Sequence, residues 1–391
     1  MAAVPYDVVN ATEARSLADG NDLSFLRVSR AEIELPPDTD PYSSQVYDRA
    51  AANFAAFRAS SLHLEAEPSL YFYRLRMGDH EQVGLAGCFS IAEYDRDVIR
   101  KHERTRRDKE DDRTRHMLTL GAQTGPVFLT YRATADVNDI ASRVTQEAPL
   151  VDFSASDGVQ HTLWRVAGAD CAALVAAFTR VPVLYIADGH HRAASAARTL
   201  AVLREQGRPV EGVGDGAGAD TVMAVAFPHD HVQILAYNRV VRDLAGLSAD
   251  EFLQRVGQAF VVAPGPASPV QPGAMAMYLD RRWYTLTPRR APDPGDAIAA
   301  LDVSVLQDQL LGPMLGILDV RTDPRIDFVG GARGTAALEA HVNAGRFAVA
   351  FSLHPVGVDE LMAVADAGQI MPPKSTWFEP KLRDGLLIHV I

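Results

Sequence analysis

The stretch VPVLYIADGHHRAASAARTL, residues 181–200, constrains the fold more tightly than any other part of the chain. Its unbroken apolar opening, residues 181–187, reads as a strand covered on both faces. Gly189 permits a tight turn. Ala193, Ala194, Ala196 and Ala197 then begin a helix slim enough to lie close on a sheet, and Asp188 reads as its cap. A strand that feeds a helix this directly leaves the first N–H groups of the helix open, where the dipole favours anions. His190, His191 and Arg192 add donors at the same place. The combination suits a phosphate, the plainer alternative being a capped helix with two exposed histidines.

Around this stretch, strands and helices alternate irregularly. SFLRV (24–28) reads as a strand and residues 42–60 as an amphipathic helix, with Val46, Ala50, Phe54 and Phe57 on one face. Residues 69–77 and 82–91 read as a hairpin turning at Gly78-Asp79. Later strand pairs, among them AMAMYLD and WYTLTP, sit between Pro/Gly-rich stretches, and GLLIHVI closes the chain as a strand. Residues 207–219 read as a flexible glycine-rich loop. Hairpins mixed with strand–helix units predict an α+β fold with a mixed sheet. Two lobes are expected, residues 1–243 and 244–391.

Three further clusters bear on chemistry. KHERTRRDKEDDRTRH, residues 101–116, holds no apolar residue. Its i,i+4 pairs include Lys109 with Arg113 and Asp108 with Asp112, which repel on a helix. Two readings stay open: a solvated helix face, or a cationic segment facing a phosphate site. Glu103 beside His102 has the chemistry of a base. In MPPKSTWFEPK, residues 371–381, two prolines fix an extended backbone ahead of Lys374, Ser375 and Thr376; alone this reads as a surface turn. His229, Asp230 and His231 supply three ligand types in three residues, but the spacing suits a tight turn better than a metal site.

Composition excludes several classes. The chain has 391 residues, 47% of them hydrophobic and 23% charged, so it can bury a substantial core. A net charge of −12 argues against a nucleic-acid partner. Cys88 and Cys171 read as two buried free thiols in a reducing compartment, with no CxxC pair for zinc. The N-terminus lacks the pattern of a signal peptide and no apolar run approaches a membrane span, so a cytoplasmic protein is expected. P-loop, HExxH and GxSxG patterns are absent, and GVGDGAG follows a helix rather than a strand, against a dinucleotide fingerprint.

PYDVV, KHERT with KEDDR, YIADGHHRAASAA, NRVV and PPKSTWFEPK together resemble a widespread bacterial family catalogued as a domain of unknown function. That family in turn resembles the free L-serine kinases of the ParB/sulfiredoxin-like superfamily. The shared features are a His-Glu pair, DGHHR after a strand, and a Pro-Lys-Ser/Thr-Thr stretch near the C-terminus. The resemblance implies a ParB/sulfiredoxin-like nucleotide-binding core with insertions, a C-terminal α+β lobe closing over the substrate site, and a further segment ahead of PYDVV. It implies Glu103 as catalytic base beside His102. Asp188, Gly189, His190, His191 and Arg192 would hold phosphates, and Lys374, Ser375 and Thr376 would line an amino-acid pocket. Lys109 and Arg113 join the phosphate site on the cationic reading of their block.

The expected activity is a kinase that transfers phosphate from ATP or ADP to a small hydroxy amino acid, free L-serine being the acceptor the resemblance names. Mg²⁺ would bridge the phosphates, with no all-protein metal cage expected. The alternative is a ParB-like regulator that binds and hydrolyses nucleotide without a small-molecule acceptor. A sulfiredoxin-like redox enzyme would need a cysteine at the site, and DGHHR has none.

Overall fold

The computed structural model describes residues 1–65, 67–212, 218–293 and 295–391. Of the glycine-rich stretch 207–219, residues 213–217 lie outside the described residues. The chain forms two compact units: Met1–Val232 with Pro380–Ile391, and Gln233–Glu379. Against the expected division at 243/244, Tyr237–Val241 stays with the second unit because it pairs there with two strands. The last residues stay with the first because Ala3 and Asp384 exchange backbone hydrogen bonds of 3.0 and 2.9 Å.

In the first unit the strands are β1 (Tyr71–Met77), β2 (His80–Ser90), β3 (Ile99–Arg100), β4 (Ala122–Gln123), β5 (Val127–Tyr131), β6 (Val151–Ser154), β7 (Gln160–Arg165), β8 (Leu184–Asp188) and β9 (Thr221–Pro228). Eight of them form one sheet in the order β3-β8-β5-β9-β2-β1-β7-β6. β3 with β8 and β5 with β9 run parallel, while the other neighbours are antiparallel. The fold is therefore α+β with a mixed sheet, as the patterning predicts. β5 is buried at every position and β8 at all but Asp188, so both read as continuous apolar runs. The β1–β2 hairpin turns at Gly78-Asp79, where Gly78 supplies the positive φ of 59° that a two-residue turn needs.

Helix Ser44–Ser60 buries Val46, Ala50, Phe54 and Phe57 together, as its spacing predicts. Each of the two phenylalanines contributes about 1.5–3 kcal/mol on leaving water. They join Phe25, Leu26 and Val28 in one apolar cluster. SFLRV is not a strand: Leu26–Ser29 is a short helix whose apolar residues point into that cluster. The charged block is a helix too, Arg107–Leu120, running from DKEDDR into MLTL so that Met117 and Leu120 are buried. Both thiols are free, but Cys88 is exposed and Cys171 only half-buried, which corrects the expectation of two buried ones.

The C-terminal segment returns across the first unit. Gly385 N–H donates to the Thr124 carbonyl at 2.9 Å. Only β18 (His389–Val390) of the expected closing strand forms, against β4. Gly385 has φ 74°, and a Cβ there would press to within 2.8 Å of three ring atoms of Phe25. Gly385→Ala should therefore cost about 1–3 kcal/mol through overpacking, plus the strain of its backbone. A urea melt tests this; an unchanged midpoint would show that Phe25 can move aside freely.

The second unit comprises β10 (Ile234–Leu235), β11 (Tyr237–Val241), β12 (Phe260–Pro264), β13 (Met275–Leu279), β14 (Arg282–Pro288), β15 (Ile326–Gly330), β16 (Val349–Ser352) and β17 (Trp377–Phe378). Six form an antiparallel sheet in the order β12-β14-β13-β16-β11-β15, and β10 pairs with β17. Leu338 of helix Gly334–Asn343 joins Val240, Tyr278, Val329 and Ala350 in its core.

Candidate functional site

β8 delivers Asp188 to its C-terminal end, and Gly189 turns the chain with φ 92° into helix His190–Glu205. The cap position is Gly189, not Asp188, and no side chain caps the helix. Asp188 Oδ1 instead accepts the N–H of Gly189 at 2.8 Å. The first main-chain bond of the helix runs from Ala193 N–H to the Gly189 carbonyl. The N–H groups of His190, His191 and Arg192 precede it, at the positive end of the dipole.

The two histidines have a job that the sequence did not suggest. His190 Nε2 accepts the main-chain N–H of His102 at 3.4 Å, and the two rings meet edge to face at 4.4 Å. His191 Nε2 accepts the N–H of Arg106 at 3.0 Å. Together they staple residues 102–106 across the helix mouth. Accepting through Nε2 makes each ring neutral with its proton on Nδ1. Burial holds His102 down to about 4 and His190 well below the usual histidine range, which keeps both neutral at physiological pH. Among the described residues the Nδ1 of buried His102 has no hydrogen-bond partner.

Glu103 sits beside this staple, its side chain half exposed and its Oε2 3.9 Å from His190 Nδ1. That separation exceeds a hydrogen bond. It leaves the half-exposed carboxylate facing a donor. His102, Glu103 and residues 188–192 are thus brought together in one place within the first unit.

Arg192 turns inward. It is 4% exposed, donates to the Pro126 carbonyl and pairs with Asp7 at 3.5 Å. Burial opposes its charge, but Asp7, Asp188 and Asp384 around it hold its pKa above the usual arginine value. Arg192 braces the N-terminal PYDVV segment against the sheet, with its guanidinium packed beside Gly189.

Lys109 and Arg113 take hydrogen-bond partners outside residues 188–192, although Lys109 is near enough to help lower the pKa of His191. Lys109 Nζ donates to the Tyr42 hydroxyl at 2.9 Å. Arg113 binds Asp112 at 2.8 Å and lies 4.1 Å from the Tyr6 ring centroid. Both line a half-open cavity of about 340 Å³ with Tyr6, Arg30, Tyr42 and Tyr47. Helix Arg107–Leu120 meets helix His190–Glu205 through Arg198, which pairs with Glu110 and Asp111. Tertiary partners and the short-range pairs Arg106–Asp108 and Asp112–Arg113, not i,i+4 pairs, therefore satisfy the charges of the block.

Lys381 was missed. Its Nζ lies 2.9 Å from Asp188 Oδ2. Burial would raise the Asp188 carboxyl, but Lys381 and Arg192 hold it below the usual carboxylate range. Asp384 was missed as well: burial pushes it up to about 7, and it accepts the N–H of Tyr6. The signal was present, since Lys381 lies within the PPKSTWFEPK motif and Tyr6 within PYDVV. Lys374, Ser375 and Thr376 belong to the second unit, where Ser375 Oγ closes a turn on the Pro372 carbonyl at 2.6 Å. His229–His231 is one turn of 3₁₀ helix, and among the described residues no three acidic, histidine or cysteine side chains gather as metal ligands.

The model of the family described as a protein of unknown function, DUF1015, matches residues 1–304. The chain belongs to the DUF1015 family. No curated protein matches it. Among solved structures, this DUF1015 chain is similar to a free serine kinase variant in complex with ADP, at 14% identity and TM-score 0.36, over 75% of this chain and 87% of that one. It is also similar to SbnI with a C-terminal truncation from Staphylococcus aureus, at 11% identity and TM-score 0.41, over 78% and 87%. A conserved hypothetical protein from Pyrococcus furiosus is similar at 12% identity and TM-score 0.36, over 76% and 93%. At these values the site has to be argued from its own geometry. No helix among the described residues is long and apolar enough to cross a membrane.

Proposed function

We propose that this DUF1015 protein is a nucleotide-dependent kinase of a small hydroxy amino acid, with free L-serine as acceptor. The observation that carries the reading is the uncapped mouth of helix His190–Glu205, with Lys381 paired to Asp188 and Glu103 beside His190. Open N–H groups at a positive helix end suit a phosphate, and Lys381 supplies a point charge beside it. His190 and His191 act by positioning, holding residues 102–106 so that Glu103 faces the bound group. Glu103 orients the acceptor hydroxyl and takes its proton. The neutral ring of His190 keeps a donor toward Glu103 without adding a second charge.

The core is read as ParB/sulfiredoxin-like. Mg²⁺, if bound, would offset phosphate charge, and Asp188 would hold it in exchange for its pairing with Lys381. This reading makes the protein cytoplasmic, with nucleotide and amino acid as its partners.

The test is to incubate the protein with Mg²⁺, ATP or ADP, and a panel of hydroxy amino acids, and to look for the phosphorylated product by mass. Product formed with L-serine supports the kinase. Nucleotide turnover that ignores every acceptor overturns it in favour of a ParB-like regulator. In the same assay Lys381→Met should weaken nucleotide binding about tenfold, as expected for one lost charge-assisted bond. Calorimetric titration checks it, and unaltered affinity would leave Lys381 as a structural partner of Asp188 alone.

A further inference from the structure

Lys109, Asp112, Arg113 and His116 stand at i, i+3, i+4 and i+7 of helix Arg107–Leu120, and so share one face of it. All four line the half-open cavity of about 340 Å³. A helix packed into a fold ordinarily turns an apolar stripe inward. Here the inward face is polar, and Asp112 and His116 are nonetheless buried. Much of the remaining lining is apolar: Val28, Ala31, Val46 and Ala50, with Pro36 and Pro37. The cavity belongs wholly to the first unit, and neither Glu103, Lys381 nor residues 188–192 line it.

The charges of the lining do not balance. It carries four cations, Arg15, Arg30, Lys109 and Arg113, and two carboxylates, Glu32 and Asp112. Both carboxylates are taken. Arg30 pairs with Glu32 at 2.9 Å, and Asp112 accepts from Arg113 at 2.8 Å and from the Tyr47 hydroxyl at 2.7 Å. Arg15 donates only to the main-chain carbonyls of Glu32, Ile33 and Leu35, and Lys109 only to the Tyr42 hydroxyl. Asp108, the neighbour of Lys109, is held by Arg106. Among the described residues no carboxylate pairs with Arg15 or Lys109. Two positive charges are left over, in a chain whose net charge is −12.

Tyr6 adds an unused polar group. It lines the cavity and is 7% exposed. Its main-chain N–H donates to Asp384, but among the described residues its hydroxyl makes no hydrogen bond. Buried hydroxyls are ordinarily satisfied. The volume falls within the range of small-molecule sites, about 300–1,000 Å³, and such sites combine apolar walls with a few placed polar groups.

We propose that this cavity binds a small organic anion with an apolar body. The anionic end supplies the charge that Arg15 and Lys109 lack, and the body covers Val46, Ala50 and the prolines. The apolar requirement sets this ligand apart from both a nucleotide phosphate and a hydroxy amino acid, and the site uses none of the residues that the kinase reading assigns to Asp188 and its surroundings.

The test uses the full chain and four probes: benzoate, hexanoate, phenyl phosphate and inorganic phosphate, titrated by calorimetry in chloride buffer. At least one organic probe should bind saturably, and tenfold or more tighter than inorganic phosphate. Lys109→Met should weaken it tenfold or more. Ala50→Leu, which takes up cavity volume without touching a charge, should do the same. Lys381→Met should leave the binding unchanged, as should saturating ADP. Preference for benzoate or hexanoate assigns a carboxylate; preference for phenyl phosphate assigns a phosphate ester. No organic probe bound at millimolar concentration overturns the proposal, as does binding no tighter than that of inorganic phosphate, or binding that survives Lys109→Met undiminished. Displacement by ADP also overturns it, since the cavity would then be part of the nucleotide site. Should Ala50→Leu fail to fold, Lys109→Met still decides. A failed nucleotide reading would show instead as absent nucleotide binding with this anion binding intact.

Discussion

Glu103→Gln should lower phosphoryl transfer by about 10²–10⁴-fold, the usual contribution of a positioned general base, while nucleotide affinity stays within about twofold of wild type. The amide keeps the shape of the side chain and its half-exposed position 3.9 Å from His190 Nδ1. It removes only the capacity to take a proton. His190 cannot substitute, because its Nε2 lone pair is committed to the His102 N–H and its remaining nitrogen bears a proton. Single-turnover kinetics at saturating nucleotide separates the two effects. A wild-type rate constant would remove Glu103 from the chemistry, and a parallel loss of nucleotide affinity would make it a binding group instead.

The second large effect is on stability in acid. Burial holds His102 and His116 of the first unit down to about 4, and His161 to about 3. In the unfolded chain each titrates near 6.5. Between those values the unfolded state binds protons that the folded state refuses, so stability falls as pH drops from about 6.5 towards 4. Asp384 runs the other way: its folded value is raised to about 7, so it favours the folded state as pH falls below that. Three histidines against one carboxyl leave a net uptake of about two protons on unfolding near pH 5, on the order of 3 kcal/mol per pH unit. His190, held well below its ordinary value, adds to the same side. Several kcal/mol are then lost before pH 4, comparable to the whole stability of a typical domain.

The geometry behind those values is specific. His161 Nε2 accepts from Arg383 Nε at 3.0 Å, and His161 Nδ1 lies 2.8 Å from the Tyr73 hydroxyl. A second proton on that ring would face a guanidinium. Urea midpoints at pH 7, 6 and 5, followed by far-UV circular dichroism, measure the slope. A flat profile down to pH 4.5 would show that these rings accept protons in place.

Local pattern was enough wherever one segment decides its own state. The apolar run into Gly189 and four alanines determined β8, the left-handed turn and the helix that follows, because strand burial, φ freedom and side-chain size are all local properties. The 3–4 spacing of Val46, Ala50, Phe54 and Phe57 likewise determined a helix and its buried face. His102, Glu103 and DGHHR were legible as one site only through the resemblance of their motifs, since 85 residues or more separate them. Only the tertiary structure decided what their atoms do. Two histidines at a helix mouth look like phosphate donors in sequence, but a ring nitrogen facing a main-chain N–H must accept. That made them staples for residues 102–106. The charged block looked poor as a helix because its i,i+4 pairs repel, yet Arg198, Tyr42 and Tyr6 come from distant segments to satisfy it. Lys381 reaches Asp188 because the chain end packs back on Ala3 and Thr124. Such pairings depend on which segments the sheet order brings side by side, and no local propensity encodes that order.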